Sequence, residues 1–340
     1  MPAMKRTGAT MNQAMARPAV RRFFKRTEAT IIIGCILLFL IFTIVDARGW
    51  FSFFTIRNLT RFTSILGLIA IGQTLVILTR EIDLSVGSVY GVVGIAFVSF
   101  APALGVPLAF VAGLVIAATI GLLNAVLVLR GKLPSMIVTL GGLFFYRGLI
   151  YVTTGGTVRS LPAAQRSHWL VQLFGANWLF GLENGFWWFL LVVVIFTYIL
   201  FRTRFGNQLL AVGGAPASAA SRGVSVERVK LIAFVTCSVL AGFSGLITLA
   251  NDPRTNVTIG QDVELETVAA AVIGGVLLTG GRGSIVGAAL GAFFLTAVRS
   301  QLITLGAPAD WYTAFVGLVL VFAAVVNTLI QRRLAPAGGG

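Results

Sequence analysis

Acid, histidine and cysteine are all scarce in this chain. Of 340 residues, 11 are Asp or Glu, one is histidine and two are cysteine. Cys35 and Cys237 both fall inside apolar runs, which excludes a disulfide framework or a cysteine-based metal site and leaves them as small packing residues. The lone His168 is expected at the surface, not as a ligand or base. None of the four lysines stands in a G-x-x-x-x-G-K-[ST] phosphate loop, so the chain does not hydrolyse ATP by that route, and no cofactor or metal is expected on it.

Apolar residues are abundant. They make up 57% of the chain against 11% charged, with a mean hydropathy of +0.94. Soluble domains hold about 45 to 50% apolar residues, so this is an integral membrane protein. The net charge of +15 is not a nucleic-acid footprint, because the polar surface is too small and the charge sits in terminal arms and short loops. Residues 1 to 28 carry Lys5, Arg6, Arg17, Arg21, Arg22, Lys25 and Arg26 and read as a loose cytoplasmic tail whose basic cluster sits against anionic membrane lipid, at about 1 kcal/mol per residue. A cleaved signal peptide is the rival reading; no small-residue cleavage site follows the first apolar run, so an uncleaved span is expected.

A bilayer core takes about 20 apolar residues as helix. Ten segments qualify, at about 30–46, 60–79, 86–101, 105–129, 135–153, 186–201, 231–250, 267–280, 284–305 and 311–330. Alternate loops collect the basic residues: the arm, Arg80, Arg130 with Lys132, the run from Arg202 to Lys230, Arg282, then Arg332 and Arg333. Opposite them lie Asp46, Glu183, Asp252, Asp262, Glu264, Glu266 and Asp310, with the six tryptophans near that interface. Both termini are therefore expected in the cytoplasm, with ten spans, or eight if 267–280 is re-entrant. One membrane domain would occupy 29–333, followed by a flexible tail, 334–340.

Three local features interrupt the apolar pattern. The stretch "LTREIDLSVGSVYGVVG", Leu78 to Gly94, drops three charges between spans. A charge at the bilayer centre costs roughly 2.5 to 3.5 kcal/mol, so Glu81 and Asp83 require water, a partner or a role. Gly283, Gly287 and Gly291, beside Ala288 and Ala292, leave one helix face nearly smooth, for packing within the chain or at a subunit interface. In the loop Gly206 to Lys230, Gly213 and Gly214 break the preceding run, Pro216 suits a first helical turn, Ala217, Ala219 and Ala220 favour helix and Gly223 stops it. A short helix between glycine hinges is either a docking peg or a solvated connector. Residues 75–95 also echo 271–291, with Gly87, Ser88 and Gly91 on Gly283, Ser284 and Gly287, by chance or because the chain has two related halves.

"TREIDLSVGS" (79–88), "GKLPSMIVTLGGLFFYRGL" (131–149), the 206–230 loop and "VAAAVIGGVLLTGGRGSIVGAALGA" (268–292) closely resemble the permease subunit of ribose-type bacterial ABC sugar importers, in the branched-chain/ribose permease superfamily. The likeness covers nearly the whole chain after the tail. It implies an all-α, type II ABC importer-like permease of the bacterial inner membrane. Such a subunit pairs with a second copy or a homologous permease, docks a cytosolic ATPase that uses ATP and Mg, and receives a pentose or hexose from a periplasmic binding protein. Nucleosides and branched-chain amino acids are the alternative cargoes. Under this resemblance Gly213, Gly214, Ala215, Pro216, Ala217, Ser218, Ala219, Ala220, Ser221, Arg222 and Gly223 form the ATPase coupling loop. The family usually has Asn-Glu-Glu-Ala where this chain has Ala215 to Ser218, so the docking carboxylates are missing. It usually has Gly-Gly where Arg80 and Glu81 stand, and Arg80 is expected to pair with Glu81 or Asp83.

Asp83 and Ser85 then either fix a break near the cytoplasmic gate or cap the third span, readings that are compatible. Arg147 and Arg299 lie about six residues, roughly 9 Å, inside the outer end of a span. That depth permits snorkelling to the interface, and for Arg147, beside Phe144, Phe145 and Tyr146, it also permits donation to sugar hydroxyls. Gln73, Asn124, Thr139 and Asn327 either line a pathway or bond neighbouring helices. The outer loop 154–185, with Trp169, Trp178 and Glu183, is a landing place for a binding protein. An ion-coupled transporter needs acidic groups in its spans, and an intramembrane enzyme needs a nucleophile with a base or a metal; apart from Asp83 at a span edge, neither is expected here.

Overall fold

The computed structural model describes residues 28–308 and 310–334; the basic arm, the tail 335–340 and the side chains of Asn327, Arg332 and Arg333 lie outside the described residues. The chain opens with α1 (Ala29–Trp50), bent at Asp46, and α2 (Phe53–Leu78), whose start is fixed by Ser52 accepting the Thr55 N–H at 3.2 Å. After a seven-residue break come α3 (Val86–Leu104), α4 (Val106–Leu129), entered through Gly105 with Pro107 in its first turn, and α5 (Ser135–Thr154), stopped by left-handed Gly155. The loop between α5 and the next long helix holds two short helices, α6 (Ala163–Arg166) and α7 (Trp169–Gly175), the latter capped by His168 Nδ1 accepting the Leu170 N–H. Then follow α8 (Asn184–Arg202), α9 (Arg204–Gly214), α10 (Pro216–Ser221), α11 (Val226–Asn251), α12 (Val263–Ile273), α13 (Ile285–Thr304) and α14 (Asp310–Leu334). Sheet among the described residues is confined to the two-residue pairing of β1 (Arg159–Ser160) with β2 (Arg254–Thr255), which ties the loop between α5 and α8 to the segment after α11.

Eight of these helices are long and apolar enough to cross a bilayer. Of them α2 is the most central, buried along almost its whole length between α11, α13 and α8, while α1, α4, α5 and α8 present broad apolar faces outward. It starts seven residues earlier than hydropathy suggests because Arg57 and Arg61 in its first turns both lie 3.5 Å from the buried Glu183. Close backbone approach sets the packing. Gly72 leaves no room for a Cβ against Cys237, and Ser244 Oγ donates to the Ile65 carbonyl at 2.9 Å, so α2 and α11 run antiparallel. Gly287 and Gly291 meet the carbonyls of Gly274 and Ala270, sealing α13 onto α12 within the chain.

The apolar run at 267–280 is not a helical span. Its helix, α12, covers Val263–Ile273 and gives way to turns through Ser284. Residues 252–284 nevertheless cross the bundle, from the end of α11 near the start of α2 to the end of α2, where Gly281 N–H donates to the Leu78 carbonyl at 3.0 Å. Among the described residues, then, eight helices reach spanning length, α14 adds a shorter apolar stretch over Asp310–Val325, and 252–284 adds a broken passage. Glu264 and Glu266, expected in an aqueous outer loop, sit in the first turn of α12, each only 9% exposed. Acidic residues suit a helix N-terminus, so the helix captures them where hydropathy alone assigns loop.

Candidate functional site: the break and the loop beside it

The break at 79–85 begins as a helix terminator. Arg80 N–H donates to Ile77 and Glu81 N–H to Val76, the paired bonds of a Schellman motif, with Arg80 at φ +69° where glycine is usual. The chain then turns inward through the fully buried Asp83. One oxygen of its carboxylate, Oδ1, accepts both the Ser85 N–H (2.9 Å) and the Ser85 hydroxyl (2.6 Å), an Asx turn that launches α3. Asn124 of α4 donates to Ser85 Oγ at 2.9 Å. From α2, the Gln73 amide, set in the orientation that satisfies both its ends, donates to the Asp83 carbonyl (3.1 Å) and accepts its N–H (3.3 Å). Thr139 of α5 donates to the Ile82 carbonyl, and Ser135 Oγ accepts the Ile82 N–H, both at 3.3 Å. Burial pushes the Asp83 carboxyl up, the hydrogen bonds from Ser85 and Asn124 pulling it back down.

Gln73, Asp83, Ser85, Asn124 and Thr139 thus form one buried polar knot joining α2, α3, α4 and α5. Their hydrogen bonds go to one another or to the backbone of the break, not to open solvent. Tyr146 packs beside the knot, within reach of Gly142, whereas Phe144 and Phe145 point away from the subunit.

The loop 203–225 folds against the same break. Helix α9 runs through Gly213 and Gly214, and the chain breaks at Ala215 (φ −151°, ψ 86°), so the glycines are not the hinges the sequence suggests. Gly213 is a contact residue instead, since a Cβ there would overlap the Leu78 carbonyl and the Gly281 amide. Pro216 opens α10, and Gly223 (φ +82°) closes it with the Arg222, Gly223 and Val224 N–H groups turned back onto Ala219 and Ala220. Ala217, Ser218, Ala220, Ser221 and Arg222 are exposed, while Ala219 packs inward. Arg80 pairs with neither Glu81 nor Asp83. Its Nε donates to the Gly213 carbonyl (2.5 Å) and its Nη2 to that of Gly214 (2.6 Å), while Glu81 pairs with Lys230 of α11 at 2.5 Å. The two breaks that echo each other in sequence therefore meet at the end of α9. Their serines differ in role, however, because Ser284 caps α13 while Ser88 lies inside α3 and donates to Leu143.

A bundle of apolar helices with a knotted break and a short capped helix seated beside it has clear relatives. The family described as "Branched-chain amino acid transport system / permease component" matches residues 55–324. The chain belongs to this family. The permease is 35% identical, over 90% of each chain, to the autoinducer 2 import system permease protein LsrC of Escherichia coli O9:H4. It is 34% identical to the LsrC of Salmonella typhi, over 90% of this chain and 88% of that one. No solved structure matches it.

Elsewhere in the permease, the two deep arginines are held by protein. Arg147 donates through Nη1 to the carbonyls of Ile259 (2.6 Å) and Val257 (3.4 Å), satisfying irregular backbone inside the bundle, where unpaired carbonyls are costly. Arg299 lies 3.6 Å from Glu266 and 5.1 Å over the Tyr312 ring, so it is an internal ion-pair partner as well as an interfacial side chain. In the loop between α5 and α8 Trp169 and Trp178 are exposed, but Glu183 is buried beneath Arg57 and Arg61 and offers no charge to a partner. The Arg80, Glu81 and Glu183 pairings span 122 to 149 residues of sequence, and only the unusual Arg-Glu in the break hinted at any of them.

Proposed function

We propose that two copies of this permease line a pathway in the inner membrane, that α9–α10 docks a cytosolic ATPase which uses ATP and Mg, and that a periplasmic binding protein delivers the cargo. Both termini face the cytoplasm in this reading. Membership of the importer permease family supports it, and the observation that carries the docking assignment is α10 itself: a short, capped helix with a solvent-facing surface, seated where both transmembrane breaks converge. An ion-coupled mechanism loses to that membership even though Glu264 and Glu266 lie within the broken passage. Cargo is a pentose or hexose, or a small molecule such as the autoinducer 2 named by the relatives, with most selectivity residing in the binding protein. The polar knot fixes the break beside the cytoplasmic gate. Exposed Phe144 and Phe145 on α5 face the pathway or the second copy.

Deleting Ala215 to Arg222 is expected to abolish co-purification with the ATPase while the permease still elutes as a single folded species. An ATPase that stays bound to the deleted form would refute the docking assignment.

A further inference from the structure

Four consecutive residues of the break each grip a different element. Arg80 holds the α9–α10 junction through the Gly213 and Gly214 carbonyls, and Glu81 holds α11 through Lys230. Ile82 is bonded at both its N–H and its carbonyl to α5, and Asp83 is bonded to α2 by its peptide and, through Ser85, to Asn124 of α4. The grip of Arg80 is chemically apt. The carbonyls it reaches are the unsatisfied ends of α9, where a cation is favoured, and its fork spans two of them at once. Holding a non-glycine residue at φ +69° is unfavourable by itself, so these contacts compensate for it. Neighbouring backbone is equally tight: Gly280 and Gly281 abut Arg80 and Gly214, with no room for side chains.

From this chain of contacts we infer that residues 80 to 83 are a rigid connector, with Arg80 as its input, which carries movement of the α9–α10 loop into α3, α4 and α5. The inference rests on the docking role given to α10. If the loop shifts, Arg80 and Glu81 are drawn with the α9–α10 junction and α11. Ile82 and Asp83, two bonds further along, then shift the start of α5 and the turn that launches α3. Arg80 is therefore a positioning residue: it touches neither cargo nor nucleotide, and its removal breaks transmission while leaving docking intact.

The experiment uses the permease purified with its ATPase in lipid nanodiscs, in a Cys35→Ala background that leaves only buried Cys237. Spin labels are placed at Leu305, a distant reference, with either Gln208 in α9, off the α10 docking surface, or Met136 at the start of α5, all exposed positions. Distances are read without nucleotide and after trapping with ATP and vanadate. In the unmutated permease both distances shift on trapping. In Arg80→Ala the Gln208 shift persists and the Met136 shift is lost. Arg80→Lys, which keeps the charge but not the fork, shows a partial Met136 shift and serves where the alanine variant folds poorly. Swapping the partners, Glu81→Lys with Lys230→Glu, retains the shift that either single change weakens. A full Met136 shift in Arg80→Ala or Arg80→Lys would overturn the connector. A Gln208 distance that ignores nucleotide in the unmutated permease would overturn the docking assignment and the connector with it, which separates the two failures.

Discussion

Gly213→Val yields little or no folded permease. Its new Cβ would coincide with the Leu78 carbonyl and crowd the Gly281 amide, and both are backbone atoms that cannot rotate aside. Relief requires α9 to separate from the end of α2, which would strip Arg80 from the Gly213 and Gly214 carbonyls and pull on the bond between Leu78 and Gly281. Overpacking against side chains typically costs 1 to 3 kcal/mol, and here the neighbour is rigid, so about 3 kcal/mol or more is expected. The measurement is the monodisperse fraction after detergent extraction. Gly214→Ala is the control, because a Cβ at 214 meets nothing within 4 Å. Normal yield of Gly213→Val would show that the loop is not seated on the break.

Asp83→Ala lowers stability more than any other single change in the polar knot, and Asp83→Asn lowers it far less. Alanine leaves the Ser85 N–H and hydroxyl without their shared acceptor and loosens the Asn124 contact, all in a region closed to water. An unsatisfied buried donor costs about 1 to 3 kcal/mol, so the alanine variant loses about 3 kcal/mol. Asparagine keeps an acceptor at Oδ1. It also removes a carboxylate whose Oδ2 has no partner among the described residues, so its cost stays near 1 kcal/mol. Thermal melting of the detergent-solubilised permease reads both. Equal melting points for the two variants would mean the turn does not depend on the Asp83 acceptor.

Much of this architecture is legible in the sequence alone. Nine of the ten apolar runs become helices with ends displaced by up to seven residues, because hydrophobic length against bilayer thickness is a strong constraint. Pro216 and Gly223 bound α10 as their backbone preferences dictate. The broken passage at 252–284 is obscured by its own chemistry. Glu264 and Glu266 look like aqueous-loop residues until a helix N-terminus and Arg299 account for them, and Val276 to Leu278 are apolar without being helical. The polar residues of the knot are visible singly as Gln73, Asp83, Ser85, Asn124 and Thr139, but their convergence depends on how four helices cross, which no local pattern encodes. Arg80 misleads for the same reason. Its nearest charges in sequence are Glu81 and Asp83, yet the carbonyls that hold it are 133 and 134 residues away.

Uptake by the reconstituted importer tests the central claim most directly. The permease and its ATPase are placed in proteoliposomes, the periplasmic binding protein is supplied outside, and accumulation of labelled ribose and of autoinducer 2 is followed with and without internal ATP and Mg. Accumulation of at least one cargo that requires both ATP and the binding protein, and is indifferent to proton and sodium gradients, is the predicted result. Accumulation driven by an ion gradient in the absence of ATP would contradict it.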